Sequence, residues 1–268
     1  MGQRRSLADV ARKAGLQESG LESLERGERP PTASEVQALG EALGLRTPAL
    51  IEIAINGWNP QPLPEWAERE EPIIAVAGEI GGYPVKGYIL FDPAEKNALM
   101  IDTAYHPAEM IAQVRQRGLR LTGICLTHGH IDHAGELEPI VEQWPVPVYL
   151  GAGDRDLLRW KPPKGLLTVL SPGQEISVGS LRIICLATPG HTPGGFSYRL
   201  SSAGRNFCFV GDTLFAGSIG RSNPPSLYPL HLDSVREKLL TLPVDTVLLP
   251  GHGPATTVRE ELDHNPFA

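Results

Sequence analysis

Apolar residues recur along this chain with two different periods, and the change of period divides it. Over the first fifty positions the period is helical. Leu7, Val10, Ala11 and Ala14 share one face, Leu21 and Leu24 share another within a segment from 17 to 26, and Val36, Leu39 and Leu43 form a third stripe. The polar residues between them read as starts and stops. Ser6 with Asp9, and Thr32 with Glu35, have capping-box spacing, and Gly15, Gly27 and Gly44 stand where the stripes end. A further short helix over 49–55 closes this unit. The stretch N-P-Q-P-L-P-E-W at 59–66 can continue neither a helix nor a central strand, because proline lacks an N–H and fixes φ. The pattern predicts a small all-helical domain over 1–58, a proline-rich linker over 59–72 and a larger domain over 73–268.

In the larger domain strands alternate with helices. Residues 72–77, 88–91 and 98–102 are expected strands, and 110–118 an amphipathic helix closed by Gly118. Four mainly apolar runs come next, at 121–126, 181–187, 207–210 and 246–249. Runs of this kind fit strands covered on both faces, so the expected class is a layered α/β fold.

Composition narrows the function classes. A chain of 268 residues with 41% hydrophobic and 21% charged residues is ordinary for a globular protein. No stretch approaches the ~18 consecutive apolar residues of a membrane span, and the N-terminus lacks an apolar signal core, so a cytoplasmic protein is expected. Cys125, Cys185 and Cys208 each sit inside an apolar run and read as buried, reduced thiols. The net charge of −7 opposes strong nonspecific nucleic-acid binding by the whole molecule.

The turns at the ends of the apolar runs carry the chemistry. After Leu126 comes T-H-G-H-I-D-H-A-G, with His128, His130, Asp132 and His133. After Ala187 comes T-P-G-H-T-P-G with His191, after Val210 comes G-D-T with Asp212, and after Leu249 comes P-G-H-G-P with His252. Imidazoles and carboxylates gathered this way are a ligand set for zinc, manganese or iron. Their turns are rich in Gly and Pro, which let backbone approach closely and fix side-chain aim. If the four strands lie side by side in one direction, their loops share one rim. His128 and His130 alternate along an extended loop, whereas the adjacent Asp132 and His133 diverge, so one cluster can feed two metal sites. Asp102, at a strand end, is expected to orient a ligand histidine. His106 and His231 are expected in solvent, His264 against Phe267, and the four Trp in packing roles. Arg221 is left between an anionic substrate group and a structural ion pair.

These segments resemble the metallo-β-lactamase superfamily, and within it the glyoxalase II-like hydrolases. The resemblance is carried by 127–135, 188–195, 211–221, 250–257 and the closing H-N-P-F at 264–267. It implies an αβ/βα sandwich in which His128, His130 and His191 hold one metal, Asp132, His133 and His252 a second, and Asp212 bridges both. Beta-lactamases proper commonly place a cysteine where Asp212 stands, so the carboxylate favours the hydrolase branch. The implied cofactor is a pair of divalent ions, zinc foremost, with iron or manganese as alternatives. Two cations sharing one water lower its pKa towards ~7. Asp132 would then orient the water or relay its proton, in hydrolysis of a small thioester or related ester. The run S-N-P-P-S-L-Y-P-L at 222–230 and the sixteen residues after His252 depart from those relatives, so the substrate shell is expected to differ.

The segments 7–16, 24–31 and 39–45 resemble a Cro/repressor-type helix-turn-helix. The first helix usual in such modules has almost no residues before Ser6 to form it. Seven Lys/Arg and seven Asp/Glu make residues 1–50 formally neutral, and Glu18, Glu22 and Glu25 occupy the segment that would enter a DNA groove. A DNA reader and a packing or homodimerisation module both remain open. Two other functions compete with the hydrolase: a mononuclear iron persulfide dioxygenase, and a DNA-binding regulator whose metal domain senses a ligand.

Overall fold

The computed structural model describes residues 5–63, 72–202 and 204–268. The N-terminal helices are α1 (Leu7–Ala14), α2 (Glu18–Glu25), α3 (Ala33–Leu43) and α4 (Thr47–Ala54). Their ends follow the predicted chemistry. Ser6 accepts from the Asp9 amide, Thr32 and Glu35 form a reciprocal capping box, and Gly15 and Gly44 turn the chain at φ of 67° and 70°. Residues 64–71, within the expected linker, lie outside the described residues.

The remainder holds two six-stranded sheets. The first runs β1 (Ile73–Ile80), β2 (Tyr83–Phe91), β3 (Asn97–Ile101), β4 (Arg120–Cys125), β5 (Val148–Leu150) and β6 (Leu167–Val169) in sequential order, parallel from β3 onward. The second has the order β12-β11-β10-β9-β8-β7, formed by β7 (Glu175–Val178), β8 (Leu181–Ala187), β9 (Phe196–Ser202), β10 (Arg205–Gly211), β11 (Val247–Pro250) and β12 (Thr256–Thr257). Strands β8, β10 and β11 run the same way, through the antiparallel β9 and the parallel β10–β11 pairing.

The four ligand-bearing strands are therefore not neighbours in one sheet. Strand β4 belongs to the first sheet and the other three to the second, and the rim is shared by two sheets across a common core. Periodicity cannot distinguish these arrangements, because a strand covered on both faces reads alike in either sheet. The short or polar strands β5, β6, β7, β9 and β12 are not among the expected ones. They carry too few consecutive apolar residues to stand out.

Alternate side chains of each long strand feed different layers. Tyr88, Leu90, Leu99 and Ile101 meet Cys185, Tyr198, Phe207, Phe209 and Leu249 between the sheets. Ile89, Phe91, Met100 and Ile124 face the helices α5 (Pro107–Gln116) and α7 (Leu137–Gln143), through Met110, Val114 and Ile140. Cys208, Val210 and Leu248 face Val235, Leu239 and Val258, on a helical segment spanning α8 (Tyr228–Asp233) with its continuation Ser234–Leu239 and on α9 (Val258–His264). The order is helices, sheet, sheet, helices. All three cysteines are free and buried, as the apolar runs predict.

Two buried phenols cross the central layer. Tyr198 of the second sheet donates to the Leu126 carbonyl at 2.6 Å, and Tyr88 of the first donates to the Pro250 carbonyl at 2.6 Å. Each acceptor lies at a strand end beside a ligand loop, so the sheets are tied together at the rim that carries the chemistry. Burial raises both phenol pKa values and keeps the hydroxyl protons on the donors.

The helical module is docked on the C-terminal segment. The Arg46 amide donates to Pro266 O at 2.9 Å and its guanidinium to Leu262 O. Trp58 stacks on His264 with ring centroids 5.0 Å apart. His264 thus packs against Trp58 and not, as expected, against Phe267, because α9 turns its ring toward the incoming chain. Trp58→Ala should cost about 2 kcal/mol, less than full burial would give. Calorimetry should then resolve an earlier transition for the helical module; one unchanged transition would contradict this docking.

Candidate metal centre

All seven candidate residues meet at the shared rim. The loop after β4 presents His128 and His130 and enters the short helix α6 (Ile131–Ala134), which carries Asp132 and His133. The ends of β8, β10 and β11 present His191, Asp212 and His252. Their ligand atoms form two groups, His128–His130–His191 and Asp132–His133–Asp212–His252, each with all atoms within 4.8 Å of one another. Asp212 belongs to the second group, but its Oδ2 is also 3.6 Å from His191 Nε2.

The outward-facing nitrogens fix which atoms point in. His133 Nδ1 is 2.8 Å from Asp102 Oδ2, His191 Nδ1 is 2.7 Å from Arg221 O, and His252 Nδ1 is 2.5 Å from Pro84 O. Carbonyl and carboxylate oxygens only accept, so each of these Nδ1 atoms carries the proton. His128 Nδ1 lies 3.0 Å from Thr127 Oγ1, whose own proton goes to Asp102, and it is assigned as the donor in the same way. The Nε2 atoms of these four rings are then the ones aimed at the centre, and each is a lone pair when its ring is neutral.

His128 Nε2 and Asp212 Oδ1 are buried without a hydrogen-bond partner. Asp212 Oδ1 lies 3.1 Å from His133 Nε2, His133 Nε2 lies 3.4 Å from His252 Nε2, and His130 Nδ1 lies 2.9 Å from His191 Nε2. Ligands 2.0–2.1 Å from a tetrahedral ion stand about 3.3–3.4 Å apart, so the donor set fits divalent cations in both chemistry and spacing.

The protonation states divide the rings. Burial, then the neighbouring imidazoles, drives His128 well below its usual range, and burial foremost takes His191 down to about 4. Asp132 is held at about 2: burial opposes ionisation, but the His252 hydrogen bond and His133 outweigh it. Asp212 is lowered against burial by the same kind of neighbours. Burial lowers His133, but Asp212 and Asp102 outweigh it and raise it well above its usual range, and the Asp132 hydrogen bond raises His252; these two rings hold protons that a bound cation would displace.

The backbone is shaped for this convergence. A Cβ on Gly251 would collide with His133 Cε1 and stand 2.6 Å from Asp212 Oδ1, so only glycine lets the His252 loop close over the centre. Asp102 behaves as expected and does more: Oδ1 accepts from the Thr127 amide at 2.7 Å while Oδ2 takes the Thr127 hydroxyl and His133. Its backbone adopts a left-handed φ of 59°, rare for a residue with a side chain.

Two supporting residues depart from expectation. His231 is not in solvent: it is fully buried, with Nε2 2.8 Å from Thr213 O and Nδ1 3.1 Å from Ser222 Oγ. Its sequence neighbourhood, Y-P-L-H-L-D, gives no hint that α8 packs beneath the Asp212 loop. Asp154 has no expected role in the sequence reading. It is fully buried and accepts from Gly129 N, Thr192 Oγ1 and Gly194 N at 2.7–2.9 Å, joining the first histidine loop to the His191 loop. A signal exists, since G-A-G-D at 151–154 comes after an apolar run as the ligand loops do. His106 is exposed as expected, and Arg221 supports His191 through its carbonyl rather than its side chain.

Comparison with known proteins agrees with this geometry. Residues 81–252 match the profile of the metallo-beta-lactamase superfamily, and residues 3–52 match that of a helix-turn-helix domain. The chain belongs to the metallo-beta-lactamase superfamily. It is 34% identical over 202 residues to the probable metallo-hydrolase YqgX of Bacillus subtilis (strain 168), covering 69% of this chain and 93% of that one. It is 31% identical over 189 residues to the hydroxyacylglutathione hydrolase GloC of Haemophilus influenzae (strain ATCC 51907 / DSM 11121 / KW20 / Rd), covering 65% and 88%. Among solved structures, TTHA1623 in a di-iron-bound form superposes with a TM-score of 0.61 at 30% identity, covering 73% of this chain and 100% of that one.

Asp154→Ala should orphan three buried donors and cost about 3 kcal/mol or more. It should also weaken metal binding at least about tenfold by freeing the two histidine loops. Denaturant unfolding of the metal-free protein and a zinc titration check both effects, and wild-type values in both would contradict the role.

Proposed function

We propose that the protein is a metal-dependent hydrolase of small thioesters or related esters. In this reading His128, His130 and His191 hold one divalent ion, and Asp132, His133 and His252 hold a second. Asp212 reaches both, and the ions are zinc. The observation that carries this reading is the convergence of seven imidazole and carboxylate ligand atoms in two groups, with His128 Nε2 and Asp212 Oδ1 buried without a hydrogen-bond partner. When bound, such a pair supplies Lewis-acid activation of a water and of the ester carbonyl.

The chain's own residues divide the remaining work. Asp102, Thr127, Arg221 O and Pro84 O hold the imidazoles in one tautomer and one orientation. Asp132 is the catalytic carboxylate. Its Oδ2 lies 3.2 Å from His252 Nε2, its side chain is partly open to solvent, and it is ionised at neutral pH. That oxygen can accept the proton of the attacking water. A thiolate leaving group needs little protonation, so no strong general acid is required. The hydroxyacylglutathione hydrolase among the relatives supports the thioester class.

The helical module is assigned to docking rather than to reading DNA. Its described cations are engaged within the protein: Arg5 and Lys13 on Ala42 O, Arg12 on Asp9, Arg26 on Glu22, Arg29 on Glu35 and Arg46 on Leu262 O. Phosphate contacts supply most nonspecific affinity, and these groups are already committed. A gel-shift titration at low salt should show no retention of duplex DNA; sequence-specific, salt-dependent retention would restore the regulator reading.

The enzymatic reading is tested with a hydroxyacylglutathione under anaerobic conditions, following thiol release alongside metal content. Turnover with two ions per chain is expected, and Asp212→Ala should lower metal content and rate together, the rate by about a hundredfold or more (about 2.7 kcal/mol). Full activity in that variant, or turnover that needs oxygen with one iron per chain, would overturn it.

A further inference from the structure

The helical module and the sandwich do not close on each other completely. Between them lies a cavity of about 710 Å³, a volume typical of small-molecule sites. Leu7, Val10, Leu21, Leu39 and Leu43 line one side, and the 218–222 loop with Phe267 lines the other. None of the seven convergent His and Asp residues lines it, so it is a compartment separate from the metal centre. Of the five aliphatic residues only Leu21 is buried; the other four are half-buried among the described residues. Packed interiors do not ordinarily leave such residues unfilled, because the lost contacts weaken the fold.

The charged residues lining the cavity select among occupants. Arg5, Arg221 and Glu25 stand there, two cations and one anion, all exposed. Arg5 is committed to Ala42 O at 2.5 Å. The Arg221 guanidinium has no hydrogen bond or ion pair among the described residues. A wholly apolar occupant would leave that cation unused, and a dianion would meet Glu25. We propose that the cavity binds an amphiphilic monocarboxylate, its alkyl chain among the leucines and its carboxylate on Arg221. Because the Arg221 carbonyl holds His191 Nδ1, the occupant would adjoin the support of a candidate ligand histidine.

Calorimetric titration of the full chain with dodecanoate, below its micelle concentration, tests this without reference to turnover, so failure of the hydrolase reading leaves it intact. Saturable one-to-one binding is expected. Arg221→Gln should weaken dodecanoate about tenfold and leave dodecan-1-ol unchanged, since a charge-assisted hydrogen bond is lost. Leu39→Trp, which narrows the cavity among the leucines, should weaken binding of both. Arg221 is exposed, so its variant keeps the question answerable if Leu39→Trp does not fold. Absence of saturable binding, or dodecanoate affinity unchanged in R221Q or in folded L39W, would overturn the proposal.

Discussion

Four histidine rings donate an Nδ1 proton outward, to a carboxylate, a hydroxyl or a backbone carbonyl, and turn Nε2 inward. The rest of the structure serves that constraint. So many imidazoles and carboxylates are crowded together, and burial removes the water that would otherwise separate them. Such an arrangement persists only where the surrounding fold dictates it. Cations are the natural complement, because every inward atom is a ligand atom once its proton is displaced.

The sandwich supplies the rigidity. Strand β4 brings one half of the centre from the first sheet, while β8, β10 and β11 bring the other from the second. Tyr88 and Tyr198 stitch the sheets beside those loops, and Asp154 ties the two histidine-bearing loops together. Each link is short, buried and charged or polar, so the loops hold their aim although none is regular secondary structure. The left-handed turn at Asp102 is the local cost, accepted because its carboxylate then meets Thr127 and His133 at once.

Much of this is legible in the sequence, for physical reasons. Apolar runs ending in Gly/Pro turns locate the ligand loops, and capping pairs such as Thr32 with Glu35 place the helix starts. The assignment of seven ligand candidates comes from residue chemistry, and the structure brings all seven together. The hidden remainder depends on tertiary placement. The allocation of strands to two sheets leaves no trace in periodicity, because both faces of each strand are apolar. His231 and Asp154 are polar residues whose partners lie far along the chain, and His264 meets Trp58 only because the helical module docks there. The cavity between the modules is likewise a property of docking.

Anomalous scattering from crystals of the zinc-loaded protein tests the central claim most directly. Two peaks are predicted, one ligated by His128 Nε2, His130 Nδ1 and His191 Nε2, the other by Asp132, His133 and His252, with Asp212 in contact with both. A single peak, or zinc bound away from these atoms, would contradict it.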